Sequence, residues 1–295
     1  MKLALSIALP PYEHALDLLS GRIAAEGVDL NWVSREAVSA ERLVSREVDV
    51  ADLSLADFLR LQSQVDAGVV AIPVFTSRLF VPPTLWIKSG GSVSRSLDLA
   101  QPTLRVAADD ETLALYAADW LHVRRPGTAV DTIAVPVFDS RSLSERLSTG
   151  EIDLALSASS LDRPSGGLRR LFGDAEVWPL LRAEYGATGL FPILRVVCVA
   201  RDLVVRHRWL PASLFQAFDR SKRNSLSRLI GAGMSRYPLP WLNAYVLQAR
   251  ETFGEDLWPY GTAANRVTLD SALASWARRQ GAAAPGIDTL FAGEV

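Results

Sequence analysis

Side chains that could bind a small anion or move a proton recur beside the predicted strands of this sequence. Arg78 follows one apolar run, and Arg195 lies near the start of another. A guanidinium group stays charged and presents paired N–H donors that match a carboxylate. Tyr12 and His14 open the first helical segment after the first strand, a position that faces a ligand in folds of this kind, and an imidazole can serve acid–base chemistry. These residue types predict a site that holds a carboxylate and transfers a proton.

A second polar group, Asp109-Asp110-Glu111-Thr112, lies at a predicted strand-to-helix turn. Asp and Thr are favoured helix caps, and acids near a helix N-terminus complement its dipole, so capping is the first interpretation. The alternative is that one of these carboxylates acts as an acid or base while Thr112 and backbone amides face the ligand. Ser157 begins a Ser-rich run after another strand, where it either donates to a ligand or belongs to a solvated loop.

The arginines and histidines also have structural interpretations. Arg78 could be a surface residue paired with an acid, and Arg195 could form an ion pair that stabilises a hinge. His122 ends a predicted helix and His207 lies in an aromatic and basic segment, so His14 is the histidine considered for catalysis. The sequence carries no metal-ligand cluster and no Gly-rich phosphate loop, so we expect no metal and no organic cofactor.

Strands alternate with helices through the first half of the chain, which is typical of a mostly parallel sheet covered by helices. The predicted strands lie near 2–9, 27–33, 48–53, 69–75, 84–88, 103–107, 132–137, 152–157 and 193–200. The predicted helices lie near 12–21, 38–47, 54–64, 110–122 and 140–149, followed by a helical tail with segments near 202–207, 211–234, 240–253 and 265–280.

This order of elements predicts an α/β protein with the two-lobe fold of type II periplasmic binding proteins. Lobe one would comprise 1–84 and 195–295, with the helical tail packed on it, and lobe two would comprise 85–194. In such a fold the ligand lies in the cleft between the lobes, where strand ends and helix N-termini converge.

The composition of the chain limits the classes of partner that it can bind. The chain has 295 residues, 49% of them hydrophobic, and its 31 basic and 33 acidic residues leave a net charge of −2. This balance is that of a globular protein and disfavours nucleic acid as a partner. No apolar run reaches the roughly 18 residues that a membrane span needs. The apolar start is followed by Pro10-Pro11 without a small-residue cleavage site, so we expect a strand and a cytoplasmic location, and homo-oligomerisation stays open.

Several motifs together resemble one family, the 4,5-dihydroxyphthalate decarboxylases. They are Glu26–Leu30, Val48–Leu55, Ile72–Phe80, Thr188–Arg195, Arg201–Leu203 with His207–Leu210, Leu239–Trp241 and Trp258–Gly261. The resemblance implies a binding-protein fold and a cofactor-independent decarboxylase or related lyase that acts on a small hydroxylated aromatic carboxylate. The rival hypothesis is a non-catalytic solute-binding or sensor protein for a small carboxylate.

Two positions depart from the family pattern. The family usually reads Phe-Arg-His where this chain has Phe80-Val81-Pro82, and Met-His where it has Leu194-Arg195. An arginine cannot replace histidine as a proton donor, although it can bind a carboxylate. With Arg78 as the carboxylate clamp, the predicted site comprises His14, Asp110 and Glu111 as catalytic candidates, and Tyr12, Ser54, Ser77, Arg78, Thr112, Ser157 and Arg195 as substrate-binding candidates.

Overall fold

The computed structural model describes residues 2–64, 67–91, 93, 103–124, 129–134, 142–161, 167–231, 239–281 and 283–293. The chain divides into two compact units. Unit 1 comprises Met1–Ser77, Leu194–Leu269 and Pro285–Val295, and unit 2 comprises Arg78–Ile193 and Asp270–Ala284.

The strands and helices alternate along the first half, as the sequence predicts. The strands are β1 (Leu3–Ala8), β2 (Val28–Ser34), β3 (Val50–Ser54), β4 (Val69–Ala71), β5 (Ser77–Arg78), β6 (Leu85–Lys88), β7 (Thr103–Ala108), β8 (Ala129–Ala134), β9 (Leu154–Leu156), β10 (Leu168–Arg170) and β11 (Ile193–Ala200). The helices are α1 (Leu16–Leu19), α2 (Ala40–Val44), α3 (Leu55–Gln62), α4 (Glu111–Arg124), α5 (Leu143–Thr149), α6 (Asp174–Thr188), α7 (Arg201–Arg206), α8 (Leu210–Ile230), α9 (Leu242–Phe253), α10 (Arg266–Gln280) and α11 (Ile287–Leu290). Short 3₁₀ turns lie at Glu13–Ala15, Pro82–Thr84 and Ala263–Asn265.

The sheet of unit 1 has the order β2-β1-β3-β11-β4. Strands β1, β2 and β3 run parallel, while β11 runs antiparallel to both of its neighbours, β3 and β4. The carboxyl ends of β1, β3 and β4 therefore lie at the same edge as the amino end of β11. This edge is where an α/β sheet usually presents its functional side chains.

The sheet of unit 2 has the order β10-β6-β9-β7-β8. Its strands β7, β8 and β9 are parallel, and β6 is antiparallel to β9. The parallel neighbours β7 and β9 end beside each other, so the residues that follow them, Asp109 and Ser157, meet at one edge.

Helix α8 completes the core of unit 1. Its buried residues Leu210, Leu214, Ala217 and Phe218 recur at intervals of three and four, which places them on one face. That face joins the cluster of buried residues that includes the strand residues Leu5, Ile7 and Val199. Packing of α8 on the first sheet is favourable because it removes this apolar stripe from water.

The end of the tail differs from the predicted division. Residues 270–284, most of α10 and the segment after it, belong to unit 2, although the sequence placed all of 195–295 in lobe one. Ser275 on α10 donates to the carbonyl of Leu115 at 3.0 Å, and Arg278 pairs with Asp119. These contacts attach the end of α10 to α4.

Helix α6 was not predicted from the sequence. It contains Pro179, which lacks an N–H donor and normally interrupts a helix, and it ends at Gly189 in the left-handed region with φ of 67°. Parts of the predicted strand near 132–137 and of the predicted helices near 140–149 and 211–234 lie outside the described residues. Within the described residues, no helix is both long and apolar enough to cross a bilayer.

We expect Phe218→Ala to lower the free energy of unfolding by about 3–5 kcal/mol, because it leaves a cavity where the side chain is fully buried. Chemical denaturation measures the change. Trp241→Ala is the control, since Trp241 is 70% exposed. It should change stability by no more than about 0.5 kcal/mol. Equal effects of the two substitutions would contradict the proposed packing of α8.

Candidate functional site

Polar side chains from three segments of unit 1 converge on Asp52, a residue of β3 that is fully buried. Tyr12 follows β1, Thr76 follows β4, and Arg195 lies near the start of β11. We call these four residues the Asp52 cluster. They meet because the ends of their strands share one edge of the sheet.

Sheet register explains the pairing of Arg195 with Asp52. Arg195 lies directly opposite Ser54 in the antiparallel β3–β11 pair, and Val197 lies opposite Asp52. Residues two apart on a strand share a face, so Asp52 and Ser54 point to the same side of the sheet. The long arginine side chain spans the diagonal to Asp52.

The contacts within the cluster are short. Arg195 donates from Nε to Oδ2 of Asp52 at 2.6 Å and from Nη2 to the Asp52 carbonyl at 3.0 Å. The hydroxyls of Tyr12 and Thr76 donate to the same Oδ2 at 3.2 and 3.3 Å. Among the described residues, no donor lies within hydrogen-bond distance of Oδ1, although this atom is buried. The carboxylate is thus stabilised on one oxygen by a cation and two hydroxyls.

The environment of Tyr12 keeps its phenol protonated. Burial raises the pKa of Tyr12 well above its ordinary value, and the negative charge of Asp52 raises it further. The positive charge of Arg195 opposes this shift without cancelling it. Tyr12 is therefore a hydroxyl donor throughout the neutral range, held in place by Asp52.

His14 lies beside this cluster among aromatic rings. Its ring centroid is 5.6 Å from Tyr12, 5.5 Å from Trp258 and 6.1 Å from Tyr260. Trp258 is anchored because its Nε1 donates to the Phe75 carbonyl at 2.8 Å. The Nε2 atom of His14 is buried from solvent, and the side chain as a whole is half-buried. The motif around Trp258 thus forms part of the wall around the predicted catalytic histidine.

Ser54 caps the helix that follows its strand. Its hydroxyl accepts the N–H of Asp57 at 3.0 Å and donates to the Asp57 carboxylate at 2.6 Å, so α3 begins at a capped end. Ser77 is half-buried in β5. Both predicted ligand-binding serines belong to unit 1, as the Asp52 cluster does. Ser77 is the last residue of the first segment of that unit.

Arg78 belongs to unit 2 and is 6% exposed. It donates from Nη1 to the Phe191 carbonyl at 3.0 Å, and its guanidinium carbon lies 5.0 Å from the centroid of the Phe191 ring. The interpretation of Arg78 as a surface residue is therefore wrong, because its side chain is buried against Phe191 in the segment 189–192.

The edge of the second sheet carries the other predicted polar group. Ser157 is buried and donates to the Asp109 carboxylate at 2.5 Å, and it accepts the N–H of Ser159 at 3.1 Å. Asp110 accepts the N–H of Leu113 at 2.8 Å, which is the contact of a helix cap. Thr112 is buried in the first turn of α4. The solvated-loop interpretation does not hold for Ser157.

Asp109 differs electrostatically from Asp52. Burial of its carboxyl group raises the pKa of Asp109 above the ordinary value, and the charge of Asp110 adds to this shift. The hydrogen bond from Ser157 acts in the opposite direction, because it favours the charged form. A carboxyl group with a raised pKa at a strand end is a candidate for acid–base chemistry.

Sequence reasoning named Tyr12, His14 and Arg195 separately, and the structure places all three at one edge of unit 1. Sequence reasoning did not single out Asp52 or Thr76 as site residues, and it named Asp109 only as a member of the polar group 109–112. The available signals were an acid, Asp52, within the apolar run 50–53 and a lone arginine, Arg195, within the apolar run 193–200. Within the described residues, no group of three or more His, Cys, Asp or Glu side chains is arranged to hold a metal ion.

Comparison with curated proteins finds relatives that share one name, although no family model matches the chain. The chain is 28% identical over 303 residues to the 4,5-dihydroxyphthalate decarboxylase of Comamonas testosteroni, covering 92% of this chain and 91% of that protein. It is 24% identical over 181 residues to the protein of the same name from Pseudomonas putida, covering 52% of this chain and 70% of that protein. The resemblance that the sequence motifs predicted is confirmed.

Comparison with solved structures identifies the fold. The periplasmic aliphatic sulphonate binding protein SsuA of Escherichia coli matches with a TM-score of 0.54, covering 99% of this chain and 98% of that chain at 13% identity. A ligand-binding component of an ABC-type import system from Staphylococcus aureus matches with a TM-score of 0.58, covering 98% and 96% of the two chains at 13% identity. The predicted α/β fold of the periplasmic-binding-protein type is confirmed.

We expect Asp52→Asn to lower the free energy of unfolding by about 3–5 kcal/mol, because it leaves the Arg195 charge without its buried counter-charge. Denaturant titration measures this. Asp202→Asn is the matched control, since Asp202 pairs with Arg206 at 2.5 Å but is 54% exposed. The control should cost less than about 1 kcal/mol. A loss at Asp52 no larger than the loss at Asp202 would contradict the structural role of the cluster.

The raised pKa of Asp109 predicts a pH dependence of stability with a defined sign. Its protonated form contributes stability that is present below the ordinary aspartate pKa of about 3.9 and is lost as pH rises through the raised folded value. Asp109→Asn removes this loss and keeps an acceptor for Ser157. The melting temperature of the variant relative to the parent should therefore increase between about pH 3.5 and pH 7.

Ser157→Ala is the companion variant for this test. It removes a hydrogen bond that favours the charged form of Asp109, so the loss of stability with rising pH should become steeper. A parent and an Asp109→Asn variant with parallel pH profiles would contradict the assignment.

Proposed function

We propose that this chain is a carboxy-lyase that removes a carboxylate from a small hydroxylated aromatic acid, with 4,5-dihydroxyphthalate as the first substrate to test. The observation that carries the proposal is the similarity to the decarboxylase of Comamonas testosteroni, which extends over 92% of this chain. The polar edge of unit 1 supplies groups of the kinds that this reaction needs.

The reaction has three requirements. The substrate carboxylates need a cation, the hydroxyl para to the departing carboxylate must lose a proton, and the ring carbon that bears this carboxylate must gain one. The carbon–carbon bond then breaks, carbon dioxide leaves, and its electron pair restores the aromatic ring. The phenolate finally recovers the proton that it gave up.

Arg195 is the proposed cation. Asp52 holds its Nε and Nη2 atoms, yet 21% of the side chain is exposed, so the guanidinium can reach a ligand from a fixed position. An arginine held in this way loses little conformational entropy on binding. The ion pair and the carboxylate clamp, which were alternatives for Arg195 in the sequence analysis, are compatible roles in this proposal.

Tyr12 is the proposed acceptor of the phenol proton. Asp52 is fully buried and cannot touch a ligand, but Tyr12 is half-buried and donates to it at 3.2 Å. As the substrate hydroxyl transfers its proton to the Tyr12 oxygen, Tyr12 transfers its own proton to Oδ2 of Asp52. The relay returns the proton to the phenolate after carbon dioxide has left.

His14 is the proposed source of the ring proton. It stacks on Tyr12 at 5.6 Å between ring centroids, and histidine is the side chain best suited to proton transfer at neutral pH. Asp110 is less suitable, because its carboxylate already caps α4 through Leu113. Glu111 stays a secondary candidate for the acid, and Arg78 a secondary candidate for the carboxylate clamp.

The second candidate function is a binding or sensor protein for a small aromatic carboxylate. It is favoured by the replacement of two family histidines, at Pro82 and Arg195, and by the fold shared with solute-binding proteins. Pro82 is buried in a 3₁₀ turn and has no group that could transfer a proton. Under this hypothesis the ligand stabilises the protein and leaves unchanged.

The test is to incubate purified protein with 4,5-dihydroxyphthalate and related hydroxylated aromatic acids while following carbon dioxide release. We expect turnover, and we expect Tyr12→Phe and His14→Gln each to lower kcat by about 10²–10⁴-fold, because each removes a group that moves a proton. Tyr245→Phe is the matched control, since Tyr245 is 50% exposed on α9, and it should leave kcat unchanged.

The binding hypothesis predicts a different result in the same incubations. Ligand at 100 times its dissociation constant should stabilise the protein by about 2.7 kcal/mol while its concentration stays constant. Stabilisation without carbon dioxide release across the panel would reject the decarboxylase proposal in favour of the sensor.

A further inference from the structure

A cavity of about 440 Å³ lies within unit 2, and each of the described residues that line it belongs to this unit. Its walls are mostly apolar and include Phe80, Leu190 and Pro192. Cavities that bind small molecules span roughly 300–1,000 Å³, and an apolar cavity of about 150 Å³ already holds benzene. The size fits an aromatic molecule of one or two rings.

One wall of the cavity carries a buried phenol. Tyr116, on α4, is 4% exposed, and its oxygen accepts the N–H of Ile193 at 3.2 Å. Within the described residues, no acceptor lies at hydrogen-bond distance from the proton of this hydroxyl. Burial raises the pKa of Tyr116 well above its ordinary value, so the hydroxyl keeps its proton. A buried donor without an acceptor costs free energy, and a ligand oxygen would recover it.

The charged side chains of the wall have partners in the protein. Both carboxylate oxygens of Glu184 accept from Nε1 of Trp120, at 2.9 and 3.0 Å. Asp119 pairs with Arg278. Among the described lining residues, Asp119 and Glu184 are acidic and Arg278 is basic. An anion would face more acidic than basic groups here, and a charged ligand of either sign would lose its hydration against the mostly apolar walls.

We propose that this cavity binds an uncharged aromatic molecule that carries one acceptor oxygen, such as an aryl ketone, aldehyde or ether, with the Tyr116 hydroxyl donating to that oxygen. The ring packs against Phe80, Leu190 and Pro192, and the oxygen selects among ligands of equal size. The proposal is independent of the decarboxylase proposal, because it concerns a neutral ligand and residues that take no part in the proposed reaction.

Three probes of similar size test the proposal by calorimetric titration of the full-length protein: acetophenone, ethylbenzene and benzoate. We expect acetophenone to bind about 3- to 10-fold more tightly than ethylbenzene, the factor that one hydrogen bond supplies. Benzoate should bind more weakly than either. No saturable binding of acetophenone, or binding of benzoate as tight as that of acetophenone, would overturn the proposal.

Two variants test the role of the hydroxyl and the location. Tyr116→Phe should weaken acetophenone binding about 3- to 10-fold and leave ethylbenzene binding unchanged. Tyr245→Phe, which removes a hydroxyl from unit 1, should affect neither probe. Unchanged affinity of Tyr116→Phe for acetophenone would show that the Tyr116 hydroxyl does not bind the ligand oxygen, and it would overturn the proposal.

Tyr116→Phe could fail to fold, because the Ile193 N–H loses its acceptor. In that case Leu190→Trp tests whether the neutral probes bind in this cavity. It fills the cavity and should abolish binding of both neutral probes. Binding that survives Leu190→Trp would place the ligand elsewhere and overturn the proposal.

Discussion

The buried carboxylate of Asp52 is the constraint on which the polar edge of unit 1 depends. A charge removed from water must be compensated within the protein, and the cost of leaving it uncompensated is several kcal/mol. Here Arg195, Tyr12 and Thr76 compensate it from three different segments of the chain. The carboxylate therefore fixes the positions of those segments relative to one another, because each must keep its donor within about 3 Å of one oxygen.

This arrangement shows how an arginine fits at the position where the family pattern has a histidine. The guanidinium is charged at every relevant pH, whereas an imidazole would lose its charge in the neutral range. The substitution removes a proton donor and adds a permanent counter-charge. In the proposed reaction, proton transfer rests on neighbouring groups, and Tyr12 and His14 lie against the same edge.

The two units use the same strand geometry with different electrostatics. In unit 1 a strand-end carboxylate faces a cation, and in unit 2 Asp109 takes its hydrogen bond from the neutral hydroxyl of Ser157. Burial of Asp109 in the second arrangement favours the protonated form of its carboxyl group. The apolar cavity of unit 2, with its buried Tyr116, extends this contrast to ligands, since it suits a neutral molecule.

The sequence by itself determined the class of fold, since alternating strands and helices are encoded in local hydrophobic periodicity. The family resemblance rested on short motifs that can be read without a structure. Local signals also supplied the capping role of Asp110 and the strand of Arg195. They failed for α6, where Pro179 contradicts a helix that tertiary packing nevertheless maintains, and for residues 270–284, which pack with unit 2.

Only the tertiary structure decided which polar residues meet. Asp52 and Arg195 are 143 positions apart, and Tyr12 lies 40 positions from Asp52, so no local pattern relates them. Their contact follows from strand order and register, which depend on the long-range pairing of β3 with β11. The partner of Arg78 and the cavity beside Tyr116 depend in the same way on segments that approach each other only in the folded chain.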